Sequence, residues 1–289
     1  MAGWVLGVIG GSGVYGVDGL EDARWTRVDS PFGAPSDELL IGRLGEARVV
    51  FLPRHGRGHT LPPTFVDARA NIDALKRAGC TDVLSISAVG SLREALAPGD
   101  FVVVDQFIDR TFARQKSFFG PGLAAHVSMA DPVCPRLSSL AATAARAAGA
   151  RVVEGGCYLA MEGPQFSTKA ESALYRSWGC DVIGMTNMPE AKLAREAELP
   201  YASVAMVTDY DCWHETFAHV EVSQIQAVLG ANGAKARDLV RNLLRALPAD
   251  RPASPIDTCL DGALITAEAA RDPATQERLS AIVARVLGR

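Results

Sequence analysis

Nowhere in the 289 residues does an apolar run approach the ~20 needed to cross a bilayer, which excludes a membrane-spanning helix. The N-terminus shows neither the basic stretch nor the apolar core of a secretory signal, so the expected location is the cytoplasm. A surplus of positive charge is also missing. Lys and Arg number 29 against 33 Asp and Glu, a formal charge of −4, so no global field exists to hold a nucleic acid or an anionic membrane. The six cysteines, Cys80, Cys134, Cys157, Cys180, Cys212 and Cys259, form no C-x-x-C pair and no cluster. A disulfide framework and a zinc knuckle are thereby excluded, and reduced, mostly buried thiols are expected. Repeats and low-complexity tracts are absent, and with 48% apolar and 21% charged residues the chain lies far from the composition of disorder.

What is present is alternation. Apolar or β-branched runs at 4–9, 48–52, 83–87, 101–105, 152–161, 182–185 and 202–207 predict strands. Helical patterns at 64–78, 135–148 and 168–178 close on Gly79, Gly149 and Gly179, and another covers 189–198. The expected fold is α/β, a single domain whose central, mostly parallel or mixed β-sheet is flanked by helices. Irregular stretches at 29–38 and 110–131 are long enough to be binding loops. Residues 222–247 read as one long helix, a Pro- and Asp-rich linker follows to about 257, and 273–287 form a last helix. The expected organisation is a domain over 1–250, with 251–289 a linker and helix packed on it.

Gly11, Gly13 and Gly16, directly after the first strand, match the G-x-G-x-x-G spacing of dinucleotide sites. That site needs a helix after the turn, and Gly16, Asp18 and Gly19 follow too closely for one to propagate. The loop, with the hydroxyl of Ser12, suits a backbone-amide nest for one phosphate; a turn that needs glycine for steric reasons alone is the plainer alternative. After the next strand comes Arg54-His55-Gly56-Arg57-Gly58-His59, the one dense cationic cluster. Guanidinium forks match phosphate oxygens, so an oxyanion is expected there. His55 and His59 stand four apart as in helical zinc sites, but Gly56 and Gly58 disfavour a helix and no metal is expected; a solvated basic loop stays open.

Ser87 and Thr186 also fall at strand ends, where open α/β sheets collect ligands, although close packing and helix capping account for such residues equally. Asp209 and Asp211, two apart at the end of an apolar strand, project to one face. Crowded together, one carboxyl can stay protonated and donate while its neighbour accepts, the complement of N7 and N6 of adenine. Two solvated loop carboxylates are the alternative.

Taken in order, Gly10 to Gly13, Ser30-Pro31-Phe32-Gly33, Arg54-His55-Gly56, Ala88-Val89-Gly90-Ser91-Leu92, Asp105 to Arg110, Glu162-Gly163-Pro164-Gln165-Phe166-Ser167 and Thr208-Asp209-Tyr210-Asp211-Cys212-Trp213 resemble the trimeric purine nucleoside phosphorylases. The last segment is similar to the branch of that family that takes methylthioadenosine. The resemblance spans about Gly7 to Gln226. It implies cleavage of a purine nucleoside by inorganic phosphate, without metal or organic cofactor, in a homotrimer with shared active sites.

By that resemblance Ser12, Arg54, His55, Ser87, the backbone of Ala88, and Thr186 hold phosphate; Met185 lies along the ribose; Phe166 packs on the base; and Asp209 and Asp211 serve N7 and N6. Sites for 6-oxopurines in the family pair a glutamate with an asparagine. Here Ser167 stands at the glutamate's place and aspartates occupy the asparagine region, so adenine-type nucleosides are expected. His126 resembles a histidine supplied across the subunit boundary to the 5′ pocket, and Val222 and Ile225 resemble its apolar wall. Gln226 stands where a leucine is expected and Gly184 where an asparagine is. A polar or differently shaped 5′ group, such as that of a 5′-halo-5′-deoxyadenosine, is therefore the alternative to methylthio, along with methylthioinosine or a general purine nucleoside.

Overall fold

The computed structural model describes residues 3–11, 13–214 and 222–288, the last without the side chains of 222–227. In chain order, the first half of the sequence forms strands β1 (Val5–Gly10), β2 (Glu21–Thr26), β3 (Leu39–Leu44) and β4 (Ala47–Pro53), helix α1 (Ala68–Arg77), β5 (Asp82–Ser91), β6 (Phe101–Val104), β7 (Gln106–Arg110) and α2 (Pro135–Ala147). There follow β8 (Val152–Glu154), β9 (Cys157–Met161), α3 (Lys169–Ser177), β10 (Val182–Gly184), α4 (Asn187–Glu196), β11 (Tyr201–Asp209), α5 (Val222–Ala246), α6 (Pro273–Arg278) and α7 (Ser280–Leu287).

The strands form one mixed sheet that branches at β5. β1 pairs in parallel with the first half of β5, Val8 opposite Leu84, and β10 pairs antiparallel with its last residues, Val182 opposite Ser91. β11 runs parallel alongside β5, with Val204 opposite Ile86. Three arms result: β1-β4-β3-β2, β10-β9-β7 and β11-β6-β8.

Side-chain alternation explains why helices cover both faces. Along β1 and β4, Leu6, Val8, Val49 and Phe51 join Leu137 of α2 and Leu239 of α5 in one core. Ile9, Val50 and Leu52 join Ile72 of α1, Leu193 of α4 and Ile282 of α7 in the other. Strands buried on both faces read as unbroken apolar runs, the pattern that made them legible. Beyond Ala246 the chain returns to the same body: Arg251 Nε donates to Asp82 Oδ2 at 2.5 Å, and Arg285 Nη2 to Glu198 Oε1 at 2.6 Å. The described cysteines are all free thiols; Cys80, Cys134 and Cys180 are buried and the other three half-buried. No described helix is long and apolar enough to cross a membrane.

The α/β expectation is borne out, with local corrections. The run 152–161 is two strands in different arms, parted at Gly155 and Gly156, whose φ values are +82° and +139°. The helix expected from 64 starts at Ala68, where the Asp67 carboxylate accepts from Ala70 N at 3.1 Å. The last helix is two, meeting at Leu279. The β2-β3 hairpin was not expected, because β2 is mostly exposed and carries Glu21, Asp22 and Arg24 instead of an apolar alternation.

Candidate active site

The carboxyl ends of the parallel strands β1, β4, β5 and β11 open on a cavity of about 940 Å³. The glycine loop, the segment after β4, the second half of β5, the β10-α4 junction, the end of β11 and the middle of α5 wall it. No helix follows the glycine loop, since β2 comes next at Glu21, and the dinucleotide arrangement is therefore excluded.

Arg54 borders the cavity but is only 2% exposed, its guanidinium held from within. Nε donates to Glu190 Oε2 at 3.0 Å, Nη2 to Ser85 Oγ at 2.6 Å and Glu190 Oε1 at 3.3 Å, and Nη1 to the Ile86 carbonyl at 2.9 Å. Among the described residues Nη1 has only the Ile86 carbonyl as a partner, which spends one of its two hydrogens. Glu190 accepts further from the hydroxyls of Ser85 at 2.6 Å and Tyr201 at 2.8 Å, so the buried charge pair is enclosed by donors. Asn187 donates to Tyr201 Oη at 3.1 Å while its Oδ1 receives Ser87 Oγ at 3.1 Å and Thr186 Oγ1 at 3.5 Å. A single amide thus sets the spacing of the two hydroxyls that face the cavity.

His55 Nδ1 lies 2.8 Å from the Leu61 carbonyl, so Nδ1 carries the hydrogen and Nε2 is an acceptor. Burial, reinforced by the Arg54 charge, pushes the imidazole down to about 4, and the ring is neutral at physiological pH. It stacks on His59 with centroids 4.3 Å apart. Stacked rings with one nitrogen spent on a carbonyl do not converge on a metal, and the described residues contain no group of three His, Cys, Asp or Glu that does.

At the end of β11, Asp209 accepts from Thr208 Oγ1 at 2.7 Å and from the Asp211 amide at 2.8 Å. Burial raises its pKa against the Thr208 bond, and the Asp211 charge adds to the rise. Asp211 is 4% exposed and is also raised by burial, although the Ser172 hydroxyl nearby opposes the shift. Its Oδ2 has no hydrogen-bond partner among the described residues. An unpartnered buried carboxyl oxygen is uncommon in a folded protein, and this one belongs to a residue that lines the cavity.

Met185 and Phe166 complete the wall. A Cβ on Gly163 would fall 2.4 Å from Met185 Sδ, so glycine there lets the thioether lie where it does. Arg114, from the long loop, ties this region together: Nη1 donates to the carbonyls of Met185 at 2.5 Å and Met188 at 2.8 Å, and Nε to Glu162 Oε1 at 3.0 Å. Glu162 is buried, which favours the neutral form, yet the donors Thr64, Phe112 N, Ala113 N and Arg114 hold it down to about 2.

The cavity therefore brings together Arg54, His55, Ser87, Ala88, Phe166, Met185, Thr186, Asp209 and Asp211. Ser167 is buried beside them without lining it. His126 is exposed on the loop, its amide donating to the Ala263 carbonyl at 3.0 Å, and it does not reach this chain's cavity. Ser12 and the side chains of Val222, Ile225 and Gln226 lie outside the described residues. Gly184 does not enlarge the pocket: a Cβ there would fall 2.0 Å from Tyr158 Oη, which already occupies the space. Sequence reasoning missed Glu190, Asn187, Tyr201, Tyr158 and Arg114; the one available signal was a glutamate inside an otherwise apolar helical face at 189–198.

A model of the phosphorylase superfamily matches residues 5–245. The chain belongs to the phosphorylase superfamily. Within that superfamily it is 64% identical to the S-methyl-5′-thioadenosine phosphorylase of Cereibacter sphaeroides over 98% of both chains. The protein of the same name from Rhodospirillum rubrum is 60% identical over 98% of this chain and 97% of its own. Among solved structures, a methylthioadenosine phosphorylase from an antarctic soil metagenomic library superposes with a TM-score of 0.92 at 44% identity, covering 96% of this chain and 98% of that one. A methylthioadenosine phosphorylase from Schistosoma mansoni in complex with adenine gives 0.81 at 38% identity, over 86% and 93%. The family resemblance read from the sequence is borne out.

Proposed function

We propose that this member of the phosphorylase superfamily cleaves 5′-deoxy-5′-methylthioadenosine with inorganic phosphate to adenine and 5-methylthioribose 1-phosphate, using no metal or organic cofactor. The observation that carries the reading is Asp211, whose buried oxygen lacks a partner among the described residues and lies next to Asp209 in the cavity that Arg54 and the Ser87-Thr186 pair also line. The names of the relatives support the same substrate.

Phosphate is held by the remaining Nη1 N–H of Arg54, the hydroxyls of Ser12, Ser87 and Thr186, and the amide of Ala88. The two hydroxyl hydrogens now shared with Asn187 rotate onto it. Neutral His55 accepts the P–OH hydrogen at Nε2, which an imidazolium could not do. A phosphate oxygen forms the bond to C1′ as the bond to N9 breaks and its electron pair passes into the purine. Asp209 delivers its proton to N7, so neutral adenine departs, and Asp211 accepts from the 6-amino group. Met185 and Phe166 pack on ribose and base. The protein's work is positioning and charge placement around an oxocarbenium-like centre.

We assign the 5′ group to His126 of a neighbouring subunit in a cytoplasmic homotrimer and, by the family resemblance alone, to Val222, Ile225 and Gln226, whose side chains lie outside the described residues. Residues 251–289 belong to the same domain as 1–250. Initial rates of base release at saturating phosphate, from methylthioadenosine, 5′-chloro-5′-deoxyadenosine, adenosine, inosine and methylthioinosine, test the assignment. Methylthioadenosine leading supports it; a lead for the halogenated or a 6-oxo nucleoside overturns the substrate and keeps the reaction.

A further inference from the structure

The ionisable residues on the cavity wall offer a phosphate dianion little net charge. Arg54 is matched by Glu190 at 3.0 Å, and burial holds His55 neutral down to about 4. The exception is Arg237 of α5, which also lines the cavity. Its Nη1 donates to the Gly13 carbonyl at 2.7 Å, and among the described residues it makes no ion pair; the neighbouring Asp238 is taken by Arg241 at 2.6 Å.

The Arg237 side chain runs along glycine backbone. Arg237 is the nearest neighbour of the positions a Cβ would take on Gly13 and Gly233, with Nη1 3.8 Å from each, and on Gly16, with Cδ at 3.9 Å. At these three positions glycine leaves no Cβ against the Arg237 side chain. A charge so placed acts on any oxyanion that enters the glycine loop.

We infer that Arg237 is a positioning residue for inorganic phosphate: it brings to the glycine loop a positive charge that no described residue pairs and, through the Gly13 carbonyl, fixes that loop. The inference rests on the phosphorolytic reading in one respect, that the anion is the co-substrate. It differs from the expected phosphate set, which includes no residue of α5.

The test compares wild type with Arg237→Lys, Arg237→Gln and Arg237→Met. The Met and Gln variants are expected to raise KM for phosphate about tenfold while KM for the nucleoside stays within about twofold; Lys keeps KM for phosphate within about threefold of wild type. In wild type, KM for phosphate rises from about 0.05 to about 0.5 M salt, and in Arg237→Met that rise is reduced. An unchanged KM for phosphate in Arg237→Met, an equal rise in both KM values that Lys does not rescue, or a salt-independent KM in wild type each overturns the inference. Calorimetric titration with inorganic phosphate separates it from the proposed reaction. If wild type cleaves no nucleoside yet binds phosphate, and Arg237→Met binds it about tenfold more weakly, the reaction fails and the inference stands. If wild type cleaves and Arg237→Met is unaltered, the inference alone fails.

Discussion

Glu190 Oε2 stands 3.0 Å from Nε of Arg54, both side chains being almost wholly buried, and the two residues come from opposite halves of the chain. Removing the carboxylate strands a buried cation, which typically costs 3–5 kcal/mol. Glu190→Gln is expected to lower the unfolding free energy by about 3 kcal/mol in urea and to raise KM for phosphate, because Arg54 loses its orientation. A loss below about 1 kcal/mol with an unaltered KM would mean that Ser85 and the carbonyls of Ile86 and Ile9, the latter 3.3 Å from Nη2, suffice to hold the guanidinium.

His55 makes stability depend on pH in a stated direction. Its folded pKa is about 4 against 6.5 for a free imidazole, so as pH falls the unfolded chain takes up the proton first. The contribution is complete above about 6.5 and is lost progressively between there and about 4, on the order of 3 kcal/mol in all. Urea midpoints at about pH 7 and about pH 4.5 should lie closer together in His55→Asn than in wild type. Equal spacing in the two proteins would show that other groups set the acid limb.

Tyr158 and Gly184 are a size-matched pair on neighbouring strands. Gly184→Ala forces a methyl group to 2.0 Å from Tyr158 Oη and should cost about 1–3 kcal/mol, part of it recovered in the double variant with Tyr158→Phe. Additive losses measured by thermal or urea unfolding would contradict the pairing.

The two aspartates should part company under mutation. Asp209→Asn is expected to lower kcat by about 10²-fold or more with KM changed only a few-fold, since proton delivery to N7 matters in the transition state. Asp211→Asn should instead narrow the preference for adenine over hypoxanthine nucleosides, because an amide can face O6 without charge repulsion. Steady-state kinetics on methylthioadenosine and methylthioinosine separate the roles; matching effects of the two substitutions would deny them.

Much of the site was readable because its motifs are local. The glycine loop, Arg54-His55 and Thr186 follow strands within a few residues, the Asp209-Asp211 pair falls where β11 ends, and Ser87, expected at a strand end, lies in the second half of β5, which runs on to Ser91. The supporting shell was not readable. Arg54 and Glu190 are 136 residues apart, and Tyr158, whose hydroxyl accepts from Thr186 N at 3.4 Å, is 28 residues from it, distances at which no spacing rule operates. Gly184 illustrates the cost: in the sequence, a glycine at an asparagine's place points to a changed 5′ group, and only the packed structure shows that the Tyr158 hydroxyl takes the space a side chain there would fill. The β2-β3 hairpin escaped for the complementary reason, that an edge strand exposed along most of its length carries no apolar signal.

Dependence on inorganic phosphate is the most direct test of the proposed reaction. Purified protein with methylthioadenosine should release adenine in proportion to added inorganic phosphate and form one 5-methylthioribose 1-phosphate for each adenine, with no release when phosphate is left out. Release at the same rate without phosphate, yielding the free sugar, would make the enzyme a hydrolase and contradict the assignment of Arg54, His55, Ser87 and Thr186 to a phosphate site.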